Sequence, residues 1–184
     1  MEKSQLYAML KENLTEHRYR HTLGMAQQAR DLALRFEADP NKAEIAGLLH
    51  DYCKNWSADR LREVIVSHNL PQNLLQFEKE IWHAPVGAEV IRKEFGIEDE
   101  EILNAVRYHT TGRAGMSRLE KVICLADFIE PNRDFPGVEE IRNRLDGGLD
   151  KSLAYAIGST IQYLILQEKK VYPLTLEAWN DLIG

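Results

Sequence analysis

The sequence predicts an all-α protein, and three observations carry that prediction. Apolar residues recur at three- and four-residue intervals along most of the chain. Helix-starting residues stand directly ahead of those stripes, as in Asp39-Pro40 and in Ser117 followed by Glu120. Valine, isoleucine and threonine never alternate with polar residues over a strand's length. Loops are short, and no repeat, low-complexity tract or linker interrupts the chain, so one helical domain is expected over 1–184.

The elements follow in order. Residues 3 to about 13 present Leu6, Met9, Leu10 and Leu14 on one face. Thr15 can cap the next segment, Glu16 to Phe36, whose stripe holds Leu23, Ala26, Ala29 and Ala33. Asp39-Pro40 opens a helix that runs through Ile45, Leu48 and Leu49 and delivers His50-Asp51 near its end. Ser57 precedes a helix through Leu61, Val64 and Ile65, and residues 69–73 read as loop. His83 lies just ahead of Pro85 in the first turn of a helix that Gly96 ends. Asp99 or Glu98 starts a segment finishing at Tyr108-His109-Thr110. The helix from Arg118 to about Ile129 carries Asp127 among apolar neighbours. Two more helices fit 137–146 and 150–168. In the second, Ile157, Ile161, Leu164 and Ile165 are expected to pack internally, although a homodimer could use the same face. A turn at Pro173 leads to a short last helix begun at Thr175.

Composition narrows the function. A formal charge of −6 gives no general polyanion-binding surface, so neither nucleic acid nor membrane is an expected partner. No run of 18 apolar residues exists, and the N-terminal stretch lacks the apolar centre of a signal peptide. The two cysteines, Cys53 and Cys124, are too few for a disulfide scaffold and read as reduced thiols, so a cytoplasmic protein is expected.

The chemistry gathers at AGLLHDYCKNW, residues 46–56, where an apolar run ends abruptly in His50-Asp51. Imidazole and carboxylate are compact metal ligands, and an apolar helix places them well. His21, His83, His109 and Asp127 are the other candidates; Asp127 within LADFIE would be costly to bury without a partner. A set of two imidazoles and two carboxylates suits iron, manganese, zinc or cobalt and disfavours a thiolate or calcium-type site. His83 and His109 could complete a second metal site bridged by Asp51, or could donate to phosphate. Lys54, Arg113 and Arg133 are candidate phosphate cations, with Lys54 and Arg133 nearest the proposed ligands in sequence. Phosphate-loop, zincin and nucleophile-elbow motifs are absent.

The order His21, His50-Asp51, Asp127 resembles the HD-domain metal-dependent phosphohydrolase superfamily, and its YqeK family most closely. HTLGMA at 21–26, GLLHDYCK at 47–54, HAPVGA at 83–88 and the stretch 106–142 carry the likeness. The resemblance implies an all-helical, HD-type enzyme that splits diadenosine tetraphosphate symmetrically into two ADP. It implies a divalent metal, iron first, with manganese, cobalt or zinc as options, held by His21, His50, Asp51 and Asp127. Asp51, His83, His109 and Asp127 would do the chemistry, with a histidine donating a proton to the leaving oxygen. Lys54, His83, His109, Thr110 and Arg133 would surround the nucleotide phosphates. Within the tail 170–184, Lys170, Val171, Tyr172, Pro173, Leu174 and Thr175 would line the nucleotide site, closing a core of about 15–170. A nucleotidase or nucleoside triphosphohydrolase of the same superfamily is the alternative enzyme, and a nucleotide-sensing protein the non-enzymatic one.

Overall fold

The computed structural model describes residues 3–184, apart from the side chains of residues 3–5 and 13; the first two residues of the expected domain lie outside the described residues. The described residues form α-helices and short 3-10 turns, with no strand among them. The helices are α1 (Lys3–Asn13), α2 (Glu16–Arg35), α3 (Pro40–Leu49), α4 (Ala58–Ser67), α5 (His83–Phe95), α6 (Glu100–Tyr108), α7 (Arg118–Ile129), α8 (Val138–Asn143), α9 (Leu149–Leu166) and α10 (Pro173–Ile183).

Local chemistry sets the boundaries. The Thr15 side chain accepts from Arg18 N, Asp39 from Asn41 N and Lys42 N, Ser57 from Arg60 N, and Asp99 from Glu101 N. Ser117 and Glu120 form the reciprocal capping box expected of them. Gly96 ends α5 at a φ of 64°, a left-handed conformation that glycine adopts without a Cβ clash.

Two boundaries differ from the sequence reading. The loop expected over 69–73 gives way at Gln72 to a 3-10 turn, Gln72–Gln76, and a second 3-10 turn follows at Lys79–Ile81. The last helix starts at Pro173 rather than Thr175. Proline has no N–H to leave unpaired and its φ suits a first helical position, so it opens the helix instead of holding a turn before it.

The main core buries the inner faces of α2, α3, α6 and α7, among them Met25, Leu48, Leu49, Leu103, Ile123 and Leu125. A second apolar cluster joins α4, α5 and the 72–82 stretch to Tyr172, so the chain's end is packed back onto its middle. Helices α2 and α3 approach closely because residue 47 has no side chain. A Cβ on Gly47 would stand 2.8 Å from the Ala26 Cα, a distance that real Cβ atoms do not tolerate against backbone. That close crossing brings His21 of α2 to the end of α3. On α9, Ile157 is buried as expected, but Ile165 is 62% exposed. Ile161 still packs against the core and Leu164 is half-buried; past them the helix outruns the core, so Ile165 and Leu166 emerge on the surface.

Candidate metal centre

Five helices deliver the site. His21 comes from the second turn of α2, His50-Asp51 from the end of α3, His83 from the start of α5 and His109 from the end of α6; Asp127 projects from the last turn of α7. The four histidines and Asp51 are buried, and the Asp127 side chain is 17% exposed.

Three of the histidines are held in one tautomer. His50 Nδ1–H donates to Gly47 O at 2.7 Å, and His109 Nδ1–H donates to Val106 O at 2.7 Å. His21 Nδ1–H donates to the buried Glu130 Oε1 at 3.0 Å. Each acceptor can only accept, so each Nε2 keeps a lone pair, and a second partner that fixes the ring in this way is the usual companion of a metal-ligating histidine.

Those lone pairs converge on Asp51, which has two sides. Its Oδ2 lies 3.6 Å from His21 Nε2 and 3.6 Å from His50 Nε2, with Asp127 Oδ1 3.6 Å from the same His21 nitrogen. Its Oδ1 lies 2.9 Å from His83 Nε2 and 3.6 Å from His109 Nε2. The 2.9 Å approach is short, yet it lacks hydrogen-bond geometry, and Asp51 Oδ1, His21 Nε2 and His50 Nε2 all count as buried atoms without a hydrogen-bond partner. Unpaired buried polar atoms are costly, and a cation is the partner that satisfies several lone pairs at once. Two overlapping groups, His21-His50-Asp127 and His50-Asp51-His109, have ligand atoms within 4.8 Å of one another. The donor set, imidazole nitrogen with carboxylate oxygen, fits a divalent transition metal.

Electrostatics agree. Burial lowers His50 and His83 to about 4, leaving both imidazoles neutral near pH 7. Burial by itself would raise the two aspartates. Against it, His50, the His109 and His83 nitrogens beside it, and Lys54 hold Asp51 well below the usual carboxylate range. His50 and Arg133 likewise hold Asp127 at about 2. Neutral nitrogens beside ionised oxygens are the states that bind metal.

Three cations border the cluster. Lys54 Nζ lies 3.4 Å from His83 Nε2 and 3.9 Å from Asp51 Oδ1. Arg133 pairs with Asp127 Oδ1 and donates from Nε to Asp127 O at 2.7 Å. Arg18, not among the residues singled out above, donates to Asp51 Oδ2 at 2.9 Å. Glu130 was missed as well. Its Oε2 accepts from Asn132 N and Nδ2 at 2.8 and 2.9 Å, which fixes the carboxylate that orients His21. Arg18 stands one helical turn before His21 but directly after exposed His17, so its setting reads as a solvated face; nothing near Glu130 in sequence marks its role. Arg113, by contrast, forks onto Glu120 and belongs to the capping of α7.

A cavity of about 420 Å³ opens from the cluster. Lys54, His109, Thr110, Asp127, Lys170, Tyr172 and Thr175 line it, with Phe77 and Phe128 as aromatic wall. His83, Arg133, Val171 and Pro173 do not line it, and Leu174 faces a separate hollow behind Tyr172. The tail is fastened across this opening: Lys170 Nζ donates to Gln76 O at 3.1 Å, and the Tyr172 ring meets Phe77 edge-on with centroids 4.9 Å apart. A wider cleft of about 580 Å³ lies elsewhere, by Arg35, Arg118 and Lys151, and shares no residue with the cluster.

The family model described as the HD domain matches residues 18–132, a span that takes in every one of the clustered histidines and aspartates. The chain belongs to the HD domain family. Among HD domain relatives, it is 45% identical over 184 residues to "Bis(5'-nucleosyl)-tetraphosphatase, symmetrical" of Bacillus subtilis (strain 168), an alignment covering 100% of this chain and 99% of that one. It is 41% identical over 174 residues to the protein of the same description from Staphylococcus aureus (strain NCTC 8325 / PS 47), covering 94% and 90%. The crystal structure of an HD superfamily hydrolase from Clostridium acetobutylicum, described as involved in NAD metabolism, superposes with a TM-score of 0.94 at 37% identity, covering 100% of this chain and 97% of that one. The helical HD domain fold therefore runs the length of the chain, as the likeness to the YqeK family implied.

Proposed function

We propose that this HD domain protein hydrolyses diadenosine tetraphosphate symmetrically, yielding two ADP, with divalent metal at the histidine–aspartate cluster. What carries this reading is end-to-end identity of 45% with a symmetrical bis(5'-nucleosyl)-tetraphosphatase. The two-sided Asp51 supports it. His21, His50, Asp51 and Asp127 would hold one cation; His83 and His109, facing the other Asp51 oxygen, would serve a second cation or the phosphates. Iron is the first choice because the likeness to the YqeK family implies it; the mixed nitrogen and oxygen set admits manganese, cobalt or zinc as well. The bound metal would polarise phosphoryl oxygens and make water more acidic.

The chain's own groups supply the rest. Water attacks a phosphorus beside the central bridging oxygen. The new bond is water oxygen to phosphorus, the bond from that phosphorus to the bridge breaks, and the departing ADP keeps the electron pair. Asp51 and Asp127 orient the incoming water. Where His83 is not taken by a second cation, its neutral imidazole accepts a proton from that water, as a weak base because burial lowers it to about 4. Lys54, on the cavity side, offsets charge on the leaving oxygen. Thr110 and His109 face the same cavity and would position phosphate there. The tail 170–184 would close the nucleotide site, a role supported by the Lys170 and Tyr172 contacts. Among the described residues no helix is long and apolar enough to cross a membrane. Work in the cytoplasm is consistent with two free, buried thiols, and the protein would act there as a monomer or homodimer.

The test is product identity. Metal-loaded protein given diadenosine tetraphosphate should release ADP alone, and a chelator should stop it. ATP with AMP would refute symmetrical cleavage. Faster turnover of dATP or AMP would favour the nucleotidase alternative, and tight binding without turnover would favour a sensor.

A further inference from the structure

Helix α7 ends against an arginine from another helix. The last carbonyls of a helix have no partner within it and must find one outside. Ile129 O accepts from Arg142 Nε and Nη2 of α8, each at 3.2 Å, and Glu130 O accepts from Nη2 at 3.0 Å. A cation also suits the negative end of the helix dipole. Capping alone would need no more than this. Yet the same Nη2 donates to Arg133 O at 3.2 Å, beyond the end of the helix. Arg133 N in turn donates to Glu130 O at 2.9 Å, so residues 130–133 form a closed turn that one guanidinium holds at both ends. Arg142 is itself well placed to do so, because Val138 and Ile141 bury the inner face of the short helix that carries it.

That turn carries the outer support of the metal centre. Glu130 Oε1 accepts from His21 Nδ1 at 3.0 Å, and Asn132 fixes the other Glu130 oxygen through its N and Nδ2. The turn is seated on α2 with no slack: a Cβ at Gly24 would stand 2.9 Å from Asn132 Nδ2 and 3.0 Å from Glu130 Oε2. His50 and His109 need no such help, since each is oriented by a carbonyl three residues earlier on its own helix. His21 depends instead on a carboxylate 109 residues away. Arg142 does not line the cavity beside the cluster, and its contacts with the turn are to backbone oxygens.

We propose that Arg142 is a positioning residue for the metal centre. By clamping the carbonyls of Ile129, Glu130 and Arg133 it sets the Glu130 carboxylate against His21, and so aims the lone pair that His21 offers to metal. The proposal rests on the metal-binding reading of the cluster.

Its test uses the full chain loaded with zinc, which is diamagnetic, and reads two quantities: the histidine ring N–H signals by NMR, and zinc affinity against a competing chelator. Arg142→Gln should shift or broaden the His21 Nδ1–H signal and leave those of His50 and His109 in place. Zinc affinity should fall about tenfold, the lower end for a group behind the ligands. In a Glu130→Gln background the same change should alter affinity less than about twofold, because the contact it supports is already gone. Arg142→Lys, which keeps a cation at the helix end, serves the same comparison if the glutamine variant folds poorly. All three ring signals moving together, or equal falls in both backgrounds, would make Arg142 a general prop of the fold and overturn the proposal. So would an unmoved His21 signal with unchanged affinity. Failure of the unaltered protein to bind zinc would instead sink the metal-binding reading.

Discussion

The Glu130 carboxylate lies 3.0 Å from His21 Nδ1 and is itself buried, with its other oxygen taken by Asn132. His21 is thus oriented by a charged group, whereas His50 and His109 are oriented by backbone carbonyls. A carboxylate behind an imidazole fixes its tautomer and raises its basicity as a ligand. Glu130→Gln disturbs this specifically. Both Glu130 oxygens accept hydrogen bonds, and an amide can present an acceptor to only one of the two donors. Metal affinity should fall about 10- to 100-fold, read by titration against a competing chelator, with helix content unchanged by circular dichroism.

Asp51 is the one carboxylate that faces both halves of the cluster, so its loss should be felt in the chemistry as well as in loading. Asp51→Asn keeps the shape and removes the charge. We expect turnover of diadenosine tetraphosphate to fall by about 10²–10³ or more even at saturating metal. Turnover within tenfold of the unaltered protein would reject a bridging role for this residue.

Acid should destabilise the chelator-treated protein in a defined window. His50 and His83 have an ordinary pKa of 6.5 and are lowered to about 4 in the folded state by burial. The unfolded chain therefore binds protons that the folded chain refuses between these values. Stability is unaffected above pH 6.5 and is lost as pH falls toward 4, at about 1.4 kcal/mol per pH unit for each histidine. Asp127, depressed to about 2, keeps its contribution until pH falls below its ordinary 3.8 toward that value, so it does not shape this window. Urea unfolding at a series of pH values measures the slope.

The thiols should be inert while the protein is folded. Burial pushes Cys53 up to about 12 and raises Cys124 as well. The thiolate is the reactive form, so iodoacetamide at pH 8 should leave both unmodified by mass spectrometry and label both after unfolding.

Most of the site could be read from the chain because its ligands interrupt apolar stripes. His50-Asp51 follows Leu48-Leu49, and Asp127 sits between Ala126 and Phe128, so each polar residue looked out of place where it stood. Arg18 and Glu130 gave no such sign. An arginine after an exposed histidine, in the first turn of a helix, has the composition of a solvated face. Glu130 precedes proline at a helix end and reads as a boundary. Its partner is 109 residues away, and only the packing of α2 against α7 brings the two together. Helix extent was legible wherever a cap marked it. The outward turn of Ile165 was not, because periodicity gives the direction of a stripe and says nothing of where its neighbours stop.

Gly47 has a consequence that reaches past packing. Alanine is the stronger helix former by about 1 kcal/mol, so an engineer seeking thermal tolerance would choose Gly47→Ala first. The added methyl would wedge α2 away from α3 at Ala26, and with it His21 away from His50 and Asp51. Robustness of the helix and grip on the ion pull in opposite directions at this one position, and the missing carbon sets the gauge of the whole centre.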